Sequence, residues 1–295
     1  MHEILTKRDK RFGAVVTVLL LLLSLLILYP LYFVVIASFS DPQLIATGKV
    51  LLLPKGLNVD GYEAIFQDES VLTGYLNSLY YAALGSAVTL AATLCAAFPL
   101  AKRDFRGRRV IMLLFTVTMF FNGGMIPTYL VIQKMGLLNS VWALVLPGAV
   151  TAYNVLITRT FITTSIPEEM SEAAAIDGCG HALYFIRILT PLSAPIIAVL
   201  VLFSAVGHWN SYMPPLLYIS DKAKYPLQLV LRAILVQNSA SDAMMMDNDS
   251  YVEMAKLAEK VKYALIIVAS VPVLALYPFL QRYLVKGMMV GSVKG

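Results

Sequence analysis

Charge is scarce in this sequence. Only 14% of its 295 residues are Asp, Glu, Lys or Arg, while 59% are hydrophobic; soluble domains run nearer a quarter charged and half apolar. A water-soluble globule of this length could not hide so much apolar surface, and the same deficit excludes disorder and a long charged coiled coil. Cysteine is nearly missing: Cys95 and Cys179 stand in unrelated settings, so no disulfide framework is expected. The three histidines, His2, His181 and His208, match no metal-binding spacing. No Gly-x-x-x-x-Gly-Lys-Ser/Thr phosphate loop occurs, and Gly287 to Lys294 lacks its spacing. The chain is therefore expected to bind no cofactor of its own. A net charge of +5 would suggest nucleic acid in a polar chain; here it reads as a topological signal, and no nucleic-acid partner is expected.

What the sequence has in quantity is long apolar runs. A spanning helix needs about 20 apolar residues to cross ~30 Å of hydrocarbon. Phe12 to Ala37 contains no charge and is far longer than a signal-peptide core. Further spans are expected at about 71–100, 110–132, 138–161, 192–212 and 263–284. The expected class is an all-α polytopic membrane protein with six transmembrane helices, both termini on one side.

Charge decides which side. With the N-terminus inside, the inner segments hold 14 of the 23 basic residues, densest in 1–11 and 102–109. The outer segments, about 40–70 and 214–261, hold eleven of the eighteen acids. Short basic loops stay cytoplasmic, so both termini are expected inside. The expected organisation is a cytoplasmic N-terminus at 1–11, a six-helix domain at 12–284 and a cytoplasmic tail at 285–295. Within the domain, 163–190 is a cytoplasmic loop and 214–261 an extracytoplasmic one. None of the six apolar cores contains Asp or Glu, which argues against proton or sodium coupling. Pro30, Pro99, Pro127, Pro147, Pro195, Pro272 and Pro278 punctuate the spans and favour helices that bend around a cavity.

The segment 163–190 has its own pattern. Ser165-Ile166-Pro167-Glu168 supplies a helix-capping signature. Glu168, Glu169 and Glu172 then place acids near the positive end of the helix dipole. Ala173-Ala174-Ala175 are strong helix formers whose small side chains allow close approach. Gly178 is suited to end the helix in a left-handed conformation. Phe185, Ile186, Ile188 and Leu189 form an apolar stripe before Pro191. The pattern describes a short amphipathic helix, a glycine break and a second helix entering the membrane.

Glu172-Ala173-Ala174, three residues, Gly178, nine residues, then Ile188 and Pro191 resembles the "EAA" loop of bacterial ABC importer permeases. The leucine usual before the proline is Thr190 here. Asn77-Ser78-Leu79, the stretch Ala101 to Arg109, Phe121-Asn122-Gly123-Gly124 through Tyr129, Gly136 to Asn139, and the tail Gln281 to Gly287 with Gly291 to Gly295 extend the likeness over nearly the whole chain. Together they resemble the carbohydrate permeases of the maltose-importer G-subunit class, and within it the lipoprotein-associated and YtcP-like branch that handles complex oligosaccharides. The resemblance implies a multi-pass protein of the bacterial cytoplasmic membrane with the type I importer permease fold. It also implies a second, non-identical permease, two ATPase subunits that use ATP and magnesium, an extracytoplasmic sugar-binding protein, and membrane lipid as partners. Glu168, Glu169, Glu172, Ala173, Ala174, Asp177, Gly178, Ile188 and Pro191 would then form the loop that docks on the ATPase. An ABC permease for amino acids or peptides, or a non-transporting membrane subunit, stands as the alternative.

A sugar path wants amides and aromatic faces. Asn77, Asn122, Asn154, Trp209, Asn210 and Tyr212 lie in or beside spans and are candidates for it. Helix-bridging hydrogen bonds and an interfacial aromatic belt account for the same residues. In the maltose-type relatives the sugar contacts lie mainly in the partner permease.

Overall fold

The computed structural model describes residues 7–241, 261–278 and 281. The tail motif beyond Gln281, the whole 242–260 segment, residues 279–280 and the first six residues lie outside the described residues. Among the described residues every regular element is helical. They fall into two compact units, one within Met1–Asp68 and Ala233–Ser270, the other within Glu69–Arg232 and Val271–Gly295.

The first unit begins with α1, Lys7–Ser38, whose 32 residues give a rod of about 48 Å at 1.5 Å per residue. Its apolar side chains are exposed on all sides, and burial starts only at Ile36 and Ala37. Two short helices follow, α2 (Pro42–Ala46) and α3 (Asp60–Gln67). Asp41 starts α2 by accepting the Gln43 N–H at 2.8 Å, with Pro42 in the first helical position, where its missing N–H costs nothing. Tyrosines tie this cap together: the Tyr62 hydroxyl donates to Ser38 Oγ at 2.8 Å, its ring stacks on Phe39, and the Tyr29 and Tyr32 hydroxyls donate to the Leu51 and Leu52 carbonyls.

The second unit is organised around α4, Glu69–Ala101. Its buried face repeats every three or four residues: Val71, Gly74, Ser78, Tyr81, Gly85, Thr89, Thr93, Ala97 and Leu100. Most of these are small, which lets neighbouring backbones approach closely, as packing between membrane helices requires. At Gly85 the approach is tightest, since a Cβ there would overlap the His208 imidazole. At Gly74 a Cβ would come within 3.0 Å of Val230 Cγ2 and 3.2 Å of Leu227 Cα.

The remaining helices are α5 (Arg108–Phe120), α6 (Met125–Lys134), α7 (Trp142–Val145) and α8 (Ala152–Ser165). Then come α9 (Glu168–Ile176), α10 (His181–Tyr184), a π-helical turn at Phe185–Leu189, and α11 (Thr190–Leu192). After these follow α12 (Ala194–Trp209), α13 (Met213–Tyr218), a 3₁₀ turn at Lys222–Lys224, and α14 (Leu227–Ser241). The apolar helix α15 covers Val261–Pro278. In the second unit α12 and α8 are the main helices packed along α4.

Three of the expected spans coincide with continuous helices: α1, α4 and, over the described part of 263–284, α15. The other three are interrupted. The 110–132 run divides into α5 and α6, which meet at 117°. Gly124, at φ +87°, and the Asn122 side chain, which accepts the Gly124 N–H at 2.9 Å, make the turn. The 138–161 run divides into α7 and α8, with Pro147 and Gly148 in the break and the Thr151 hydroxyl capping α8 by accepting the Asn154 N–H. The run expected at 192–212 is entered through α10 and α11, which bend 80° from α12.

Candidate functional site

The loop between α8 and α12 carries the chemistry singled out from the sequence. Ser165 ends α8 rather than capping the next helix; Pro167, extended at φ −60° and ψ 142°, takes the cap position without a side-chain bond. The acids Glu168 and Glu169 do occupy the first turn of α9. The C-terminal end follows the Schellman pattern: the Gly178 N–H donates to the Ala175 carbonyl at 3.1 Å and the Cys179 N–H to the Ala174 carbonyl at 2.8 Å. Gly178 sits at φ +74°, the left-handed conformation that glycine adopts without a Cβ penalty.

One small side chain seats α9 on the bundle. Ala174 is buried among Ala97 and Leu100 of α4, Val155 and Ile162 of α8, and Tyr184 and Leu189 beyond the glycine turn. Ile188 packs against the same cluster, half-buried, whereas Pro191 is exposed. Glu172, Ala173, Asp177 and Gly178 all face outward, and Ile176 is 86% exposed. Ile176 thus stands in the open beside the carboxylates of Glu172 and Asp177 on a short, anchored helix.

Polar ties reinforce the seat, and they come from the end of α4. The Lys102 ammonium donates to Ser171 Oγ and lies over the Tyr184 ring at 5.0 Å and the Phe98 ring at 5.6 Å. Arg103 pairs with Glu168 at 3.0 Å, an exposed bridge worth little alone. The Arg159 Nε donates to the Leu100 carbonyl at 2.9 Å, and Arg108 donates to the Lys102 carbonyl at 3.2 Å. These cations thereby satisfy carbonyls at the negative end of α4. In the sequence Lys102 and Arg103 read as topological charge and as part of the Ala101–Arg109 stretch, not as anchors of α9. The one available signal was their position directly after an apolar run, facing a loop that carries acids.

The π-helical turn gives Thr190 a role. Its hydroxyl donates to the Phe185 carbonyl at 2.7 Å, one residue ahead of Pro191, which has no N–H to give. A leucine here could not make that bond.

The candidate path residues have distinct environments. The Asn77 amide donates to the carbonyls of Ala223 (2.8 Å) and Tyr225 (3.0 Å), pinning the start of α4 to the 3₁₀ turn. Asn122 makes the α5–α6 bend, and Asn154 lies in the capped first turn of α8. Asn210 is exposed at the end of α12, where its N–H donates to the Val206 carbonyl at 3.0 Å. Tyr212 lies under the Arg232 guanidinium at 5.6 Å. Trp209 is buried and meets the Tyr75 ring edge to face at 5.3 Å. It also lines an apolar cavity of about 440 Å³ with Ala82, Ser86, Val201, Pro272 and Leu276; none of the other five candidates lines it.

A family described as "binding-protein-dependent transport system inner membrane component" matches residues 70–290. The chain is similar to the polygalacturonan/rhamnogalacturonan transport system permease protein YtcP of Bacillus subtilis, at 38% identity over 98% of this chain and 100% of that one. It is similar to Protein LplC of the same organism at 39% identity, covering 100% of both chains. Among solved structures it resembles a bacterial ABC transporter involved in the import of the acidic polysaccharide alginate, with a TM-score of 0.85 and 30% identity over 94% of this chain and 98% of that one.

Proposed function

Since this chain belongs to the family of binding-protein-dependent transport system inner membrane components, we propose that it carries an oligosaccharide through the membrane and takes the energy from ATPase subunits docked on α9. It is a membrane permease subunit of an ABC importer. An oligosaccharide cargo is favoured by relatives whose names specify polygalacturonan/rhamnogalacturonan and arabinooligosaccharides. The working complex would pair this chain with a second, non-identical permease, two ATPases inside and a sugar-binding protein outside. Six crossings with both termini inside fit the bias of basic residues.

The observation that carries the coupling role is the contrast on α9: Ala174 faces the bundle, while Glu172, Ala173, Ile176 and Asp177 face away from it. Motion of a docked ATPase would press on the exposed face. Ala174 and the Lys102 and Arg103 ties would pass that displacement to the end of α4, and through the cluster to α8. Pore opening then becomes a rigid-body event of packed helices rather than a local side-chain change. With no phosphate loop in the sequence, hydrolysis would be the work of the docked subunits.

The direct test reconstitutes the assembled importer in vesicles, adds binding protein outside, and measures ATP-dependent uptake over a panel of neutral and acidic oligosaccharides. Saturable uptake of at least one sugar is expected. Uptake of amino acids or peptides with none of any sugar would refute the cargo assignment.

A further inference from the structure

Between the end of α4, the end of α8 and the start of α9 lies a cavity of about 570 Å³. Four cations line it, Lys102, Arg103, Arg108 and Arg159, against two carboxylates, Glu168 and Glu169. One carboxylate is spent on Arg103. Among the described residues, Arg108 and Arg159 have no carboxylate within ion-pair distance; each donates to one backbone carbonyl. A guanidinium is a planar fork of several donors, so capping one carbonyl leaves most of the fork uncommitted. Both are half-buried, a setting in which an unpaired charge favours a counter-ion. Capping of α4 alone therefore does not account for two guanidinium groups converging on one concavity.

The location narrows the ligand. The charge-free run of α4 ends at Ala101, and Lys102 begins the polar stretch, so the cavity mouth lies at the edge of the hydrocarbon layer. Anions at that depth are phospholipid head groups, and basic pockets between helices on the cytoplasmic side are suited to them. Arginine forks match the tetrahedral oxygens of phosphate in paired hydrogen bonds.

We propose that this cavity binds a phosphate-bearing anion, held by Arg108 and Arg159 behind the α9 seat. The site goes beyond the transport reading and uses no residue of the exposed α9 face. Its occupant would fill the space under Ser171 and Glu168, so binding would stiffen the connection between α9 and α4.

The test uses the assembled importer in neutral detergent, titrated with dioctanoyl phosphatidylglycerol and, separately, with inorganic phosphate. Bound adducts are counted by native mass spectrometry, and the thermal midpoint is followed in parallel. Saturable binding of the lipid is expected, weakened about tenfold or more in Arg108→Gln/Arg159→Gln and unchanged in Arg109→Gln, whose exposed side chain is outside the cavity lining. Lipid binding without phosphate binding identifies a head group as the source; binding of both identifies phosphate itself, and either supports the site. Thr163→Glu puts a carboxylate on the cavity wall while keeping both arginines, and it should weaken binding equally even if the double variant fails to assemble. No saturable binding of either probe, equal loss in Arg109→Gln, or full binding in Thr163→Glu would overturn the proposal. Adduct counting involves no cargo, so this result and the sugar assignment stand or fall separately.

Discussion

Replacing Gly178 with valine isolates the conformational requirement of the α9 turn. A Cβ at this position meets no atom within 4 Å, so the substitution brings no clash. What it brings is a β-branched side chain at φ +74°, a left-handed conformation that costs an L-residue on the order of 1–2 kcal/mol. That sum is small beside the packing of α8 and α12 along α4, to which the exposed Gly178 contributes nothing. It is large for the turn itself. With each ~1.4 kcal/mol worth tenfold, the Schellman geometry would be depopulated about five- to thirtyfold. The two bonds from Gly178 and Cys179 would loosen, and with them the angle at which α9 is presented. Gly178→Val should therefore leave membrane abundance near normal, while sugar uptake falls severely and the ATPase co-purifies less well. Gly178→Asn tests the cause, because asparagine tolerates the left-handed region and should retain much more transport. Uptake and abundance measured on the same cells decide the matter. Proportional loss of both, or equal damage from asparagine and valine, would refute the reasoning.

Glu172→Lys reverses an exposed charge on the outward face of α9, and should abolish uptake and weaken ATPase retention more than Gly178→Val does, at unchanged abundance. A drop in abundance that matches the drop in uptake would remove Glu172 from the docking surface. Gly85→Leu should behave in the opposite way, lowering membrane levels and transport together, because its side chain meets the His208 ring; normal levels on a membrane blot would contradict the close packing of α4 on α12. In a variant cleared of Cys95 and Cys179, a cysteine at the exposed Ala173 should react only with a membrane-permeant maleimide. One at the exposed Lys222 should react with an impermeant reagent in intact cells, and impermeant labelling at Ala173 would invert the topology.

The parts of this fold that were legible in the sequence are those governed by local chemistry. The α4 run, the acids at the start of α9 and the left-handed Gly178 each follow from residues within a turn or two of one another. The bend between α5 and α6 was not recognised, although Asn122-Gly123-Gly124 was in view, because uncharged residues leave an apolar run unbroken to a hydropathy reading. Pro147 was read as a kink where it belongs to a full break between α7 and α8. Ser165 was assigned to a cap by its spacing to Glu168, yet α8 runs on through it and Pro167 starts the next helix. The anchors of α9 were out of reach for a different reason: Lys102 and Ser171 are 69 residues apart, and no local pattern announces their meeting. Asn77 is in the same position: the sequence allows it a sugar path or a helix-bridging bond, and only the fold supplies the partners, two carbonyls of a turn almost 150 residues away.

The exposed rod of α1 has a consequence for how this chain tolerates change. Leu22, Leu25 and Leu26 are 62%, 64% and 72% exposed, so no close-fitting neighbour within the described residues discriminates leucine from isoleucine or valine there. Hydrocarbon asks such a helix for length and oiliness, and accepts many orderings of the same residues. The face of α4 that carries Gly74, Ser78, Gly85 and Thr89 asks for particular atoms at particular turns. Shuffling the apolar residues of α1 is thus nearly silent to the folded unit, while moving one methyl group along α4 is not. Two helices of almost equal length hold very unequal amounts of information.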